Sequence, residues 1–134
     1  MKHFTIEDAR QELARVRPIA ERMVAAYRDL RGPTVERDAL RGRIAGNGGA
    51  LDRGRFAELE RVVSTTAAAL ATAIGELEEI GVQIKDLDLG LVDFPCRHPV
   101  TGEPVLLCWM VGENELGYWH GLDEGFAGRK QLPF

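Results

Sequence analysis

Apolar residues recur at alternating spacings of three and four in two stretches of the first 80 residues, and no other feature limits the possible folds as much. The first series is Ile6, Ala9, Leu13, Val16, Ala20, Met23, Tyr27 and Leu30, and the second is Phe56, Leu59, Val63, Thr66, Leu70, Ala73, Leu77 and Ile80. On an α-helix this spacing places each series along one face. Two helices with matching apolar faces predict an antiparallel helical hairpin over residues 1–80.

Local signals predict where these helices begin and end. Thr5, with an acidic residue three positions later, predicts an N-cap, and Gly81 predicts the end of the second helix. Pro18 removes a backbone donor inside the first helix, so we expect either a kink near Arg15 or a new helix that begins at Arg17. Residues 31–33, which read Arg-Gly-Pro, predict a second break, then a short helix and a glycine-rich loop over residues 46–49.

After Gly81 the apolar pattern changes from helical to alternating. Residues 82–91 predict one or two short strands that end near Pro95, residues 105–111 a stronger strand, and residues 116–120 a third short strand or turn. The sequence therefore predicts an α+β protein in which a long antiparallel helical hairpin packs on a small antiparallel β-sheet. At 134 residues, we expect a single domain over residues 1–134, with the hairpin in 1–80 and the β segment in 81–134.

The acidic excess of the chain lies entirely in its C-terminal part. Residues 1–80 carry 13 basic and 13 acidic side chains, whereas residues 81–134 carry 4 and 8, which gives the net charge of −4. This balance disfavours binding to nucleic acids and anionic membranes, which need a basic face. The sequence shows neither a membrane-spanning run nor a signal peptide, so we expect a cytoplasmic protein with Cys96 and Cys108 reduced.

Several segments resemble one protein family. They are GVQIKDLDLGLVDFP over residues 81–95, Leu107-Cys108-Trp109, Gly112-Glu113, Tyr118-Trp119-His120, GFAGR over residues 125–129, and FTIEDAR over residues 4–10. Together they resemble a bacterial family known only as domain of unknown function 2203, and the likeness covers nearly the whole chain. The resemblance implies no reaction, substrate or catalytic residue.

Four polar residues of the last third are candidate metal ligands: Asp88, Asp93, Glu113 and His120. Carboxylates suit Mg²⁺ or Mn²⁺, and an added imidazole shifts the preference toward Mn²⁺, Fe²⁺ or Zn²⁺. Their spacing matches no short metal-binding motif, so the ligands would have to converge from separate strands. The alternative is that the aspartates lie on solvent-facing strand positions and turns, with His120 half-buried beside Trp119.

Other residues are candidates for binding a small molecule or for reactivity. The candidate ligand-binding residues are Lys85, Trp119 and Arg129. Trp119 lies beside His120 in a segment flanked by Gly117 and Gly121, which makes it the better candidate for the edge of a ligand pocket. Cys96 lies next to Arg97 and close to His98, and a positive charge at these residues would lower the pKa of its thiol. The alternative for the aromatic residues is packing in the core between sheet and helices.

Three classes of function remain open from the sequence. The first is an interaction or assembly protein that homodimerises through its heptad helices, because helices of this length extend beyond what short strands can cover. The second is a divalent-metal-binding protein or a metal-dependent enzyme, and the third is a small-ligand sensor. The sequence does not decide whether the protein is an enzyme.

Overall fold

Two long helices lie on one face of a five-stranded antiparallel sheet, in a computed structural model that describes residues 2–47 and 50–134. The elements are α1 (Ile6–Asn47), α2 (Ala50–Ile80), β1 (Gln83–Asp86), β2 (Leu91–Arg97), β3 (Pro104–Met110), β4 (Tyr118–Gly121), a 3₁₀ turn (Phe126–Gly128) and β5 (Lys130–Gln131). The strands are arranged in chain order, β1-β2-β3-β4-β5, each antiparallel to the next. The predicted α+β class, with a helical hairpin on a small sheet, is confirmed.

The predicted ends of the hairpin are also confirmed. The Thr5 hydroxyl accepts a hydrogen bond from the backbone N–H of Asp8 at 3.0 Å, which caps α1. Gly81 follows α2 with φ +105°, and its N–H donates to the carbonyl of Glu78 at 3.0 Å. A left-handed glycine directly after a helix is a common way to satisfy its last carbonyls. The start of α1 and the end of α2 are thus each set by residues at that position in the sequence.

The first helix is continuous, so the expected break at residues 31–33 and the alternative of a new helix that begins at Arg17 are both wrong. Each proline leaves one carbonyl without its helical partner, that of Ala14 and that of Asp29, and both residues lie on the exposed side of α1. Water can hydrogen-bond those carbonyls, so the cost is too small to end a helix held by its buried face. Of the predicted loop, residues 46 and 47 belong to α1, and residues 48 and 49 lie outside the described residues.

The main core lies between the helices and one face of the sheet. The sheet contributes Val92, Phe94, Cys96, Val105, Leu107 and Trp109, all buried. From α1 this core includes residues only up to Met23, and from α2 only from Leu70 onward. Beyond these points the helices of the hairpin pack on each other, with Leu40 and Leu59 buried there. Neither described helix has an apolar stretch of the length and hydropathy that a membrane span requires.

The strand boundaries differ from the predicted ones at two places. Residues 87–90 form a turn instead of a strand, because the Asp86 carboxylate accepts the backbone N–H groups of residues 88 and 89 at 2.9 and 2.8 Å. Pro95 lies inside β2 instead of ending it. Its carbonyl accepts the N–H of Phe4 at 2.7 Å, so its nitrogen faces the same way, away from β3. The missing N–H therefore costs no bond to β3.

Candidate metal centre

Three adjacent strands each place one metal-binding side chain on the sheet face that points away from the helices. Asp93 is in β2, Cys108 in β3 and His120 in β4. Asp93 is paired directly with Cys108, and His120 is paired with Leu106, two positions along from Cys108. Each alternates with residues that face the helical core, so all three side chains project to the outer face.

The donor atoms of these residues converge in a buried space. One carboxylate oxygen of Asp93, the sulfur of Cys108 and one ring nitrogen of His120 all lie within 4.8 Å of one another. Asp93 and Cys108 have 0% of their surface exposed and His120 has 3%. These three side chains, which we call the Asp-Cys-His cluster, are the largest concentration of buried polar chemistry in the described chain.

The hydrogen bonds of His120 show which of its ring nitrogens is free to bind an ion. Nδ1 lies 2.8 Å from the carbonyl oxygen of Gly121, and since a carbonyl only accepts, Nδ1 must carry a hydrogen. In a neutral imidazole, Nε2 then bears a lone pair, which points at Oδ2 of Asp93 from 3.1 Å. A metal-bound histidine commonly donates its other N–H to a backbone carbonyl in this way.

The contact between Nε2 of His120 and Oδ2 of Asp93 needs a proton or a positive charge between the two atoms. Two lone pairs facing each other at 3.1 Å repel unless a proton or a cation lies between the groups. The other oxygen of Asp93, Oδ1, is buried with no hydrogen-bond partner in the part of the chain that the structure describes. The amino group of Lys85 lies 4.0 Å from Oδ2 of Asp93, and the side chain of Lys85 is 41% exposed. A buried carboxylate with so few hydrogen bonds and no close, buried positive charge normally requires a further partner.

The thiol of Cys108 is neutral in the absence of a metal. Burial raises its pKa to about 12, and the negative charge of Asp93 adds to the effect, while Arg129 opposes it. A metal ion placed among the three donors would stabilise the thiolate instead, because a coordinating thiol is deprotonated. Cys96, on the helix-facing side, has its pKa raised by burial as well, so the hypothesis of a lowered thiol pKa there is wrong.

Comparison with known proteins identifies the family. The model of a family described as "Uncharacterized conserved protein (DUF2203)" matches residues 2–132. The chain belongs to this family. No curated protein matches the chain, and no solved structure does. The predicted resemblance to family 2203 is therefore confirmed.

Two of the four predicted metal ligands lie together in the DUF2203 chain, and two have other partners. Asp93 and His120 are both in the Asp-Cys-His cluster. Asp88 lies at the surface, where its carboxylate accepts a hydrogen bond from Arg28 at 3.1 Å. Glu113 accepts one from Arg129 at 2.6 Å and another from the N–H of Met110 at 2.8 Å. Both Asp88 and Glu113 are thus satisfied without a metal.

The predicted ligand-binding residues Lys85, Trp119 and Arg129 have different neighbours in the structure. The ring of Trp119 packs against the rings of His98 and Phe134, at centroid distances of 5.4 and 5.1 Å. Nζ of Lys130 lies 4.6 Å from the centroid of the Trp119 ring. Its faces are therefore used within the chain, although it borders a surface cavity of about 610 Å³. Lys85 reaches the Asp-Cys-His cluster from the other edge of the sheet.

Arg129 covers the outer face beside the Asp-Cys-His cluster. Its guanidinium carbon lies 3.9 Å from the ring centroid of Tyr118 and 4.7 Å from that of Phe126, and its Nη2 donates to the carbonyl of Cys108 at 3.2 Å. Its Nε is buried without a hydrogen-bond partner among the described residues. Arg129 therefore supplies a fixed positive charge next to a thiol that would become negative on binding a metal.

The sequence missed Cys108 as a possible ligand. In sequence it lies between Leu107 and Trp109, and a thiol within an apolar strand is most simply a small core residue. One signal was present: Cys108 occupies the opposite alternation phase from Leu107 and Trp109, so it faces away from the core that they form. What the sequence lacks is the register that sets Cys108 opposite Asp93.

Proposed function

We propose that this protein binds a single divalent transition-metal ion through Asp93, Cys108 and His120. The observation that supports this most is the donor arrangement. Three donor atoms lie within 4.8 Å of one another, Nδ1 of His120 is engaged by a carbonyl so that Nε2 is the nitrogen that faces Asp93, and Oδ1 of the carboxylate is buried without a partner among the described residues. Each of these features fits a centre that holds one positive ion.

The donor set favours Zn²⁺. A thiolate and an imidazole suit Zn²⁺, whereas Mg²⁺ and Mn²⁺ prefer sites made of oxygen ligands. The carboxylate of Asp93 and the thiolate of Cys108 would together carry two negative charges, which balance the charge of the ion. Fe²⁺ and Co²⁺ accept the same ligands and bind more weakly in the usual affinity order.

The burial of the cluster favours a structural role for the metal. Asp93 and Cys108 have no exposed surface, so a substrate has no open approach to the ion at these two ligands. An ion held there would link β2, β3 and β4 across the sheet. Binding would also release the thiol proton and any proton shared by Asp93 and His120, so metal affinity would rise with pH. A reducing compartment such as the cytoplasm is part of the proposal, because the thiol must stay reduced.

A metal-free alternative explains some of the same geometry. A proton between Asp93 and His120 would make the 3.1 Å contact a charge-assisted hydrogen bond. In such a pair the thiol of Cys108 stays protonated beside Asp93, and Oδ1 of Asp93 has no hydrogen-bond partner among the described residues. The two interpretations make different predictions for metal content and for the effect of removing the thiol.

Metal content measured on purified protein tests the proposal. The protein is stripped with a chelator, incubated with excess Zn²⁺, desalted and analysed by inductively coupled plasma mass spectrometry. We expect one bound Zn²⁺ per chain, and a large loss in each of Asp93→Ala, Cys108→Ala and His120→Ala, because a three-ligand site does not survive the removal of one ligand.

Two matched variants serve as controls. Asp88→Ala removes an exposed carboxylate that pairs with Arg28, and Cys96→Ala removes the other buried thiol, on the opposite face of the sheet. Both should keep full metal content. Wild-type protein that holds no Zn²⁺ after desalting, or a Cys108→Ala variant that binds as much as wild type, would contradict the proposal.

A further inference from the structure

The second helix contains a long stretch without any charged residue. Residues 62–75 read VVSTTAAALATAIG, which is fourteen uncharged residues or about four helical turns. In the whole chain 28% of residues are charged, so a fully exposed side of a helix would be expected to carry several charges over this length. The side of α2 that faces solvent is therefore unusual in its chemistry.

That side can be described by six residues, which we call the outer face of α2. They are Arg61, Thr65, Ala68, Thr72, Gly75 and Glu79, at spacings of 4, 3, 4, 3 and 4. This series runs directly opposite the buried seam that includes Leu70, Ala73 and Leu77. All are exposed except Gly75, which is half-buried, and a Cβ built on Gly75 would meet no atom within 4 Å. The outer face is thus open along its full length.

The charges at the two ends of the outer face are opposite in sign. Arg61 and Glu79 are 18 residues apart, or about 27 Å along the helix, so they cannot pair within one chain. Neither takes part in an ion pair with any other described residue. Arg22 pairs with Glu76 on the neighbouring side of α2, which leaves Glu79 uncompensated.

The outer face is complementary to itself. Its spacing is symmetric about Leu70, so a second α2 lying antiparallel across a two-fold axis at that residue would bring Arg61 opposite Glu79 of the partner subunit. Thr65 would then face Gly75, and Ala68 would face Thr72, with no charge between the two ion pairs. The small side chains would let the helix axes approach to about 8 Å, the close end of the usual range.

We infer that the outer face of α2 is the interface of an antiparallel homodimer in which Arg61 of each chain pairs with Glu79 of the other. A second copy of this chain is the partner because it supplies both missing charges in the right order. The apolar heptad seams are already used for packing within the chain. A dimer would therefore form through the opposite side of α2. In a two-fold dimer each ion pair occurs twice and sets the register more than the affinity.

Charge reversal combined with analytical ultracentrifugation tests this inference. We expect wild-type protein to sediment as a dimer at high micromolar concentration. Arg61→Glu and Glu79→Arg, each alone, should weaken dimerisation by about tenfold or more, because each places two like-charge contacts in the interface. The double variant restores opposite charges with exchanged positions, so its dissociation constant should return to within about threefold of wild type. High salt should weaken the wild-type dimer as well.

Arg53→Glu is the matched control, because it reverses an exposed arginine of the same helix that lies outside the symmetric series. It should leave the dimer unchanged, and circular dichroism should show that every variant keeps its helix content. A wild-type monomer at high micromolar concentration would overturn the inference. So would folded single variants that dimerise as wild type does, or a double variant that remains monomeric. Metal-free protein should dimerise equally well, so this test is independent of the metal proposal.

Discussion

The two faces of the sheet are built from the same strands and are both buried, yet their chemistry is different. The buried residues that the described chain places on the face toward the helices are hydrophobic, and Phe94 and Trp109 are the largest of them. The outer face carries Asp93, Cys108 and His120 at the alternate positions of the same strands. Apolar burial gains free energy without specific partners, whereas a buried carboxylate and imidazole cost free energy unless each finds one.

This difference indicates how each face contributes to the free energy of unfolding. Removing an apolar side chain from the helix-facing side leaves a cavity, which costs several kcal/mol in any state of the protein. On the outer face the contribution to stability depends on whether a metal ion or a proton lies among the donor atoms of Asp93, Cys108 and His120. Stability measured with and without metal, and as a function of pH, should therefore respond to changes on the outer face in a way that it does not on the inner face.

The largest effect is expected on the helix-facing side. Phe94 is fully buried and packs edge-on against Phe4, with ring centroids 5.3 Å apart. Phe94→Ala should lower the free energy of unfolding by about 3–5 kcal/mol, measured by urea denaturation, whether or not Zn²⁺ is present. Val100→Ala, at a site that is 85% exposed, is the control and should change stability by less than about 0.5 kcal/mol. A small effect of Phe94→Ala would mean that the helices do not form the core with this face.

A smaller effect, confined to alkaline pH, is expected on the outer face. In the metal-free protein the pKa of Cys108 is raised to about 12, so the unfolded chain loses its thiol proton at lower pH than the folded chain. The folded state then binds more protons, and stability should fall as pH rises from about 9 toward 12. Cys108→Ala should make this decline shallower, and saturating Zn²⁺ should do the same in wild type, because the metal holds the thiolate.

The comparison is made on slopes of unfolding free energy against pH and not on absolute values, since removing a buried thiol also changes packing. Lysine and tyrosine titrations occur in both proteins and cancel in the difference. Equal slopes for metal-free wild type and Cys108→Ala would show that the thiol of Cys108 is not as shielded as its burial indicates.

The helices and the fold class could be predicted because their signals are local. Heptad spacing, the Thr5 cap and the Gly81 terminus each act within a few residues, and all are present in the structure. The predicted break at residues 31–33 was wrong because Gly and Pro reduce helix propensity only by a limited amount, and packing of α1 on α2 outweighs it. Strand β5, two residues long, has too few residues to produce a pattern.

The site could be predicted only in part because it depends on strand register. Asp93 and His120 were candidates by residue type, but nothing local places Cys108 beside them. That position follows from the pairing of Asp93 with Cys108 and of Leu106 with His120. A shift of one residue in either pairing would turn a ligand toward the helices. Asp88 and Glu113 were equally good candidates by type, and their arginine partners, Arg28 and Arg129, are equally invisible in sequence.

The absorption spectrum of the protein loaded with Co²⁺ tests the metal centre most directly, because it reports which atoms bind the ion. Co²⁺ takes the same ligands as Zn²⁺, and a bound thiolate produces a strong near-ultraviolet charge-transfer band. Binding through Asp93, Cys108 and His120 predicts this band in wild type and in Asp88→Ala, and its loss in Cys108→Ala. A wild-type spectrum identical to that of Co²⁺ in buffer, or a band that persists in Cys108→Ala, would contradict it.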